Sequence, residues 1–191
     1  GASFFFELPL RQEPEEIINT KLIPALDVVG QEFEQGKIFL PQLIQTASVA
    51  QAAFEVIKTT LIERNAAPVS RGEIVLATVK GDIHDIGKNI VRVLLENYGY
   101  TVLDLGRDVP CQLVADTAKE HGVKLVGLSA LMTTTLGAME ETIQLVKQSC
   151  PDCKIVVGGA VLTADYAEKI GADFYAKDAM ETVAVAKEVV G

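Results

Sequence analysis

From residue 73 onward, short β-branched runs alternate with amphipathic stretches of helical length, and this alternation restricts the possible folds more than any other property of the chain. The runs lie at 74–79, 101–105, 124–129, 154–157 and 173–175. Helical periodicity follows each, over 87–98, 110–121, 135–149, 163–170 and 178–190. Strands joined through helices of that length pair in parallel by right-handed crossovers, with helices on both faces of the sheet. The expected architecture is a doubly wound five-stranded parallel sheet, in which ligands bind beyond the carboxyl ends of the strands.

The region before the sheet is helical throughout. Pro14, Glu15 and Glu16 suit a first helical turn, and Ile17, Ile18, Leu22, Leu26, Val29 and Phe33 recur at three- and four-residue steps. Pro24 should kink or split that helix. Gln35-Gly36-Lys37 ends it, and Pro41 restarts an amphipathic run through Leu43, Ile44, Ala47, Ala50, Phe54, Ile57 and Leu61. Residues 65–72 contain Pro and Gly, lose periodicity and read as a linker. Two domains follow: a helical cap over 1–68 and an α/β domain over 69–191.

A net charge of −9 argues against nucleic-acid and anionic-membrane partners, both of which reward a basic surface. No apolar run reaches the roughly 20 residues of a membrane span, and Phe4-Phe5-Phe6 lacks the flank and length of a signal peptide, so a cytoplasmic setting is expected. Cys111, Cys150 and Cys153 form no disulfide framework. Cys150-Pro151-Asp152-Cys153 has redox or zinc spacing, but it follows a helix and no second CxxC or histidine pair completes it, so it reads as two loop thiols.

The unusual residues gather at the carboxyl ends of the expected strands. After the first come Gly81-Asp82-Ile83-His84-Asp85-Ile86-Gly87, after the third Ser129-Ala130-Leu131-Met132-Thr133-Thr134-Thr135, and after the fourth Gly158-Gly159. Asp82 stands two residues before His84, close enough to hold one imidazole nitrogen as N–H and free the other for a metal. Gly158-Gly159 is no GxGxxG fingerprint, and no GxxxxGK[ST] cradle exists, so dinucleotide and Walker-type phosphate binding are not expected. Two glycines there admit close approach of a bulky group to backbone. Taken alone, Thr134 or Thr135 reads as a cap for the following helix, and His121 as a surface histidine.

Taken together, Asp82-x-His84-x-x-Gly87, Ser129-x-Leu131 and Gly158-Gly159 resemble the cobalamin-binding motif of corrinoid-dependent methyltransferases and mutases. Upstream, Ile17-Ile18-Asn19, Leu26-Asp27-Val28-Val29-Gly30 and the run from Phe33 to Gln42 are similar to the helical cap of cobalamin-dependent methionine synthase and related methyl-carrier corrinoid proteins; mutases generally lack it. The resemblance implies a Rossmann-like (flavodoxin-like) sheet that binds cobalamin, as methylcobalamin, with His84 as lower cobalt ligand, Asp82 as its hydrogen-bond partner and Thr135 completing a triad. It implies that Gly81, Ile83, Asp85, Ile86 and Gly87 belong to the same binding loop. Ser129, Leu131, Gly158 and Gly159 would line the slot for the displaced nucleotide tail, and Thr133 and Ala179 would approach the corrin. Phe33, Leu40 and Asn19 of the cap would lie over the upper face, excluding water until a partner delivers or accepts the methyl group.

Related caps are four-helix bundles, whereas residues 13–63 hold material for about three, so the chain is expected to be a fragment of a longer polypeptide with one apolar face uncovered. The leading expectation is a methyl-carrier module of cobalamin-dependent methionine synthase, partnered by methyl-donor and methyl-acceptor domains and a reductive reactivation protein. The alternatives are a separate corrinoid protein of a methanol, methylamine or methoxyarene methyltransferase system, or a non-catalytic cobalamin sensor. The sensor reading is weakened by the absence of Trp, and a flavodoxin-like signalling domain leaves Asp82, His84 and the cap unexplained.

Overall fold

A computed structural model describes residues 17–63 and 70–191. The expectations placed on Phe4-Phe5-Phe6, on Pro14 to Glu16 and on most of the linker lie outside the described residues, as do those on the side chains of Ile18, Asn19, Phe54, Ile57 and Leu61. The chain divides into two compact units, Gly1–Val69 and Ser70–Gly191.

In the first unit a π-helical segment, Ile18–Leu22, leads into α1, Ile23–Glu34. Pro24 lies in the first turn of α1, just past the change from π-helical to α-helical bonding, where its missing N–H removes no bond within α1; the helical path itself runs on unbroken. At the other end Gly36 takes a left-handed φ of +69°, with Gly36 N–H donating to Phe33 O at 2.9 Å and Lys37 N–H to Glu32 O at 2.8 Å. The second helix, α2, spans Leu40–Glu63, and Gln42 Oε1 accepts the Phe39 N–H at 2.8 Å just before it. Leu26 of α1 and Leu43, Ala47 and Ala50 of α2 are buried where the helices pack.

The second unit alternates β1 (Glu73–Thr78), α3 (Ile86–Asn97), β2 (Thr101–Asp104), α4 (Cys111–His121), β3 (Leu125–Ser129), α5 (Leu136–Ser149), β4 (Lys154–Gly158), α6 (Ala164–Lys169), β5 (Phe174–Ala176) and α7 (Ala179–Val189). Every pair of neighbouring strands is parallel, in the order β2-β1-β3-β4-β5. Successive strand residues point to opposite faces, so each strand supplies two cores. On one face Val75, Ala77, Val126, Leu128, Ile155 and Val157 meet Val114 and Ala118 of α4 and Met139 and Ile143 of α5. On the other, Ile74, Leu76, Leu125 and Val156 are buried, and α3 packs on α7 with Leu94, Leu95, Val183 and Ala186 inside. Each fully buried large aliphatic contributes about 1.5–3 kcal/mol.

Helix starts depart from the periodic pattern for local reasons. Thr163 and Asp178 are N-caps, accepting Tyr166 N–H at 3.2 Å and Glu181 N–H at 3.0 Å, so α6 and α7 begin one residue after the expected position. Thr135 is a different case. It closes a 3-10 turn, Thr133–Thr135, ahead of α5 and makes no side-chain capping bond, because its hydroxyl is engaged elsewhere. The reading of Thr134 or Thr135 as an ordinary cap is corrected accordingly.

Candidate functional site

Strand order places the site. The chain leaves β1 for β2 on one side and later occupies β3, β4 and β5 on the other, so the direction of winding reverses between β1 and β3. Crossover connections diverge there and leave a crevice beyond the carboxyl ends of those two strands. The loop with Asp82 and His84 follows β1, and the segment from Ala130 to Thr135 follows β3, so the fold sets these two sequence-distant segments on the crevice.

Asp82 joins them. It is fully buried, and five donors converge on its carboxylate. Oδ1 accepts the His84 backbone N–H at 3.0 Å and faces His84 Nδ1 at 2.8 Å. Oδ2 takes the backbone N–H groups of Leu131 at 2.7 Å and Met132 at 3.1 Å, with Thr135 Oγ1 at 3.2 Å. Thr135 Oγ1 also lies 2.8 Å from Met132 O, so one hydroxyl proton serves two acceptors. Burial opposes ionisation of Asp82, but the bonds from His84 N–H, Leu131 N–H, the His84 ring and Met132 N–H outweigh it and hold the carboxyl well below the usual carboxylate range.

An ionised carboxylate only accepts, so His84 Nδ1 carries the proton and, in the neutral ring, Nε2 presents its lone pair. The His84 side chain is 45% exposed, and among the described residues nothing bonds Nε2. Around it stand exposed apolar side chains on the two loops: Ile83, Ile86, Leu131 and Met132 are 60%, 78%, 43% and 39% exposed. A rim this apolar beside an open imidazole nitrogen is a surface that a large flat ligand would cover.

The other expected residues fall along the same edge of the sheet. Ser129 ends β3, and its Oγ is 2.9 Å from Thr78 Oγ1, a fully buried hydroxyl that the sequence pattern did not single out. Gly158 ends β4 and Gly159 follows it, and a Cβ on Gly159, whose φ is +135°, would lie 1.9 Å from Ala130 O; one on Gly158 would lie 3.0 Å from Ala176 O. The close approach these glycines permit is therefore made by the chain's own backbone. Ala179 opens α7 beyond β5, and Thr133 is exposed in the 3-10 turn. Gly81 and Asp85 complete the β1 loop, with Asp85 at the N-cap position of α3 and Gly87 in its first turn. Phe33 and Leu40, half-buried, lie in the first unit at the end of α1 and the start of α2. Leu131 contributes through its backbone amide to Asp82, a role that no side-chain pattern announces.

The cysteines carry no site. All three are free, and burial, with Cys150 and Asp173 nearby, pushes the Cys153 thiol up to about 12. A groove lined by Lys124, Asp152, Lys154, Phe174, Glu188 and Val189 lies at the amino-terminal edge of the sheet, away from the crevice.

Comparison with known proteins yields matches across both units. A family described as B12 binding domain matches residues 72–184, and a second of the same description matches residues 7–58. The chain is 44% identical over 180 residues to dimethylamine corrinoid protein 1 of Methanosarcina acetivorans, covering 93% of this chain and 84% of that one. Among solved structures, a cobalamin-binding protein from Desulfitobacterium hafniense matches at TM-score 0.79 and 35% identity, over 93% of this chain and 83% of that one. The methanol:cobalamin methyltransferase complex from Methanosarcina barkeri matches at TM-score 0.79 and 31% identity, over 93% of this chain and 68% of that one.

The residues present fit a corrinoid. Among the described residues no cluster of three or more His, Cys, Asp or Glu could hold a bare metal ion. A cobalt macrocycle, which brings its own ring nitrogens, suits an imidazole that stands outside any such cluster. His84 Nε2 would supply one nitrogen to such a centre, and the apolar rim suits the ring.

Proposed function

Since the chain belongs to the B12-binding family of corrinoid methyl-carrier proteins and binds cobalamin, we propose that it serves a separate methyltransferase acting on a methylated amine, with His84 as lower cobalt ligand. The Asp82–His84 couple at the crevice, with Nε2 open, is the observation that carries the ligand assignment. Dimethylamine is the first methyl source to test, from the name of the relative at 44% identity. Methionine synthase, the leading expectation from sequence, has less support than this alternative, and methionine biosynthesis has none from the relatives named above.

When bound, the corrinoid supplies a cobalt centre able to carry a methyl group. The protein's own work is to set the imidazole beside it. Asp82 keeps the Nδ1 proton in place, so Nε2 is free either to ligate or to take up a proton, and the carboxylate balances the charge of the imidazolium that results. Thr135 adds a hydroxyl to the same carboxylate. Ser129, Leu131, Gly158 and Gly159 are assigned to the nucleotide-tail slot, and Thr133 and Ala179 to the corrin edge. Methyltransferase subunits that load and unload the methyl group are the expected partners, together with a reductive reactivation protein.

The test is the absorbance spectrum of the full chain after incubation with methylcobalamin, comparing wild type with His84→Ala. Retention of a corrinoid with a histidine-ligated spectrum that the variant lacks is the expected result; an unchanged variant spectrum removes His84 as ligand. Methyl loading from dimethylamine, and not from methyltetrahydrofolate, by the corresponding methyltransferases then separates the amine reading from methionine synthase.

A further inference from the structure

We infer that Asp108, in the loop between β2 and α4, is a positioning residue for His84, locking the β1 loop from the side opposite to Thr135. Two hydrogen bonds cross between the loops. Gly81 N–H donates to Asp108 Oδ1 at 2.7 Å, and Asp108 N–H donates to Asp82 O at 2.9 Å. They bracket the Gly81–Asp82 unit, the piece of backbone from which the carboxylate reaches His84. The adjoining ladder extends the clamp, with Val109 N–H on Thr78 O at 3.1 Å and a parallel bridge between Val79 and Val109.

Asp108 adopts a φ of +52°, in the left-handed region where only glycines otherwise stand among the described residues. Asp and Asn tolerate that conformation better than other side chains. Residues held there by their surroundings concentrate at working sites. Here the conformation aims the Asp108 carboxylate and its own N–H at the same neighbouring loop, and the short bond to a carboxylate is of the stronger, charge-assisted kind. The carboxylate of Asp82 is held by the β3 segment and its backbone by Asp108, so the imidazole is oriented from both flanks of the crevice.

The inference rests on His84 being the cobalt ligand, and three variants of the full chain loaded with methylcobalamin test it. Asp108→Gly keeps the left-handed backbone and deletes the carboxylate; its spectrum should move toward the histidine-off form and its affinity for methylcobalamin fall about tenfold. Asp108→Asn keeps both the backbone preference and an oxygen acceptor, and should restore the wild-type spectrum. His84→Ala is the reference for complete ligand loss. A wild-type spectrum and affinity in Asp108→Gly, with His84→Ala shifted, overturns this inference alone, whereas an unshifted His84→Ala overturns it together with the ligand assignment. If the glycine variant does not fold, Asp108→Glu reads the same bond with its carboxylate displaced by one methylene: a shift toward histidine-off supports the inference and a wild-type spectrum overturns it.

Discussion

Two acidic residues at the same edge of the sheet are each held by several donors, and they do opposite things with them. Asp104 ends β2 and meets Lys88 Nζ at 2.6 and 2.7 Å, Arg92 Nη1 at 3.3 Å and Gly106 N–H at 2.9 Å. Lys88 is buried, its side chain 2% exposed, so the pair closes on itself and holds α3 against β2. Asp82 is also surrounded by donors, but one of them is the half-exposed ring of His84, whose far nitrogen meets no partner among the described residues. A carboxylate, here half-buried, that satisfies a buried cation is a strut. One that anchors an exposed imidazole and leaves half of it unpaired presents that ring to something outside the chain.

Mutations can pull the two cases apart. Asp104→Asn leaves Lys88 buried without its counter-charge and should cost about 3–5 kcal/mol of stability in chemical denaturation, without altering the spectrum of bound corrinoid in the protein that remains folded. A loss under about 1 kcal/mol would show that the strut is solvated instead. Gly159→Ala drives a Cβ into Ala130 O at a backbone angle that side chains rarely adopt. It should lower stability by about 3 kcal/mol and disturb both the β3 end and the Leu131 amide that serves Asp82.

Asp82→Ala should cost about 1–3 kcal/mol of stability, because it strands the Leu131 and Met132 amides, and about 10- to 100-fold in corrinoid affinity. Unlike Asp104→Asn, it must change the spectrum; equal spectra in the two variants would erase the distinction drawn between the acids. Thr135→Val removes only the hydroxyl and should cost about 1 kcal/mol, with Thr135→Ser near wild type.

The smallest effect is in pH. Burial raises the Asp104 carboxyl, but the Lys88 bond, the Gly106 N–H and the Lys88 and Arg92 charges prevail and lower it below the ordinary value. A depressed folded-state value means that this stabilisation is complete above the unfolded-state value of about 4 and is lost as pH falls through the folded-state one. Acid unfolding followed from pH 5 downward should therefore be less pH-dependent in Asp104→Asn than in wild type. An identical slope would exclude Asp104 as a contributor.

The strand-helix alternation was legible because period-2 and period-3.6 patterns are local, and Asp82-x-His84 because its partners lie two residues apart. The parts that Leu131, Met132 and Asp108 play around Asp82 were not legible, although the resemblance places Leu131 in the nucleotide-tail slot. Two act through backbone amides that every residue possesses, and the third through a turn whose direction depends on β2 lying beside β1. Thr78 and Ser129, 51 positions apart, meet only because β1 and β3 are neighbours in register.

By itself the sequence determined that a parallel α/β unit follows a helical one and that Asp82 and His84 stand two residues apart, since both are written in residue type and short-range spacing. The tertiary structure decided what those residues do to one another. Strand order reverses between β1 and β3, and that reversal brings the Leu131 and Met132 amides and the Thr135 hydroxyl onto Asp82, keeping it ionised inside the protein and orienting the one imidazole left open at the crevice.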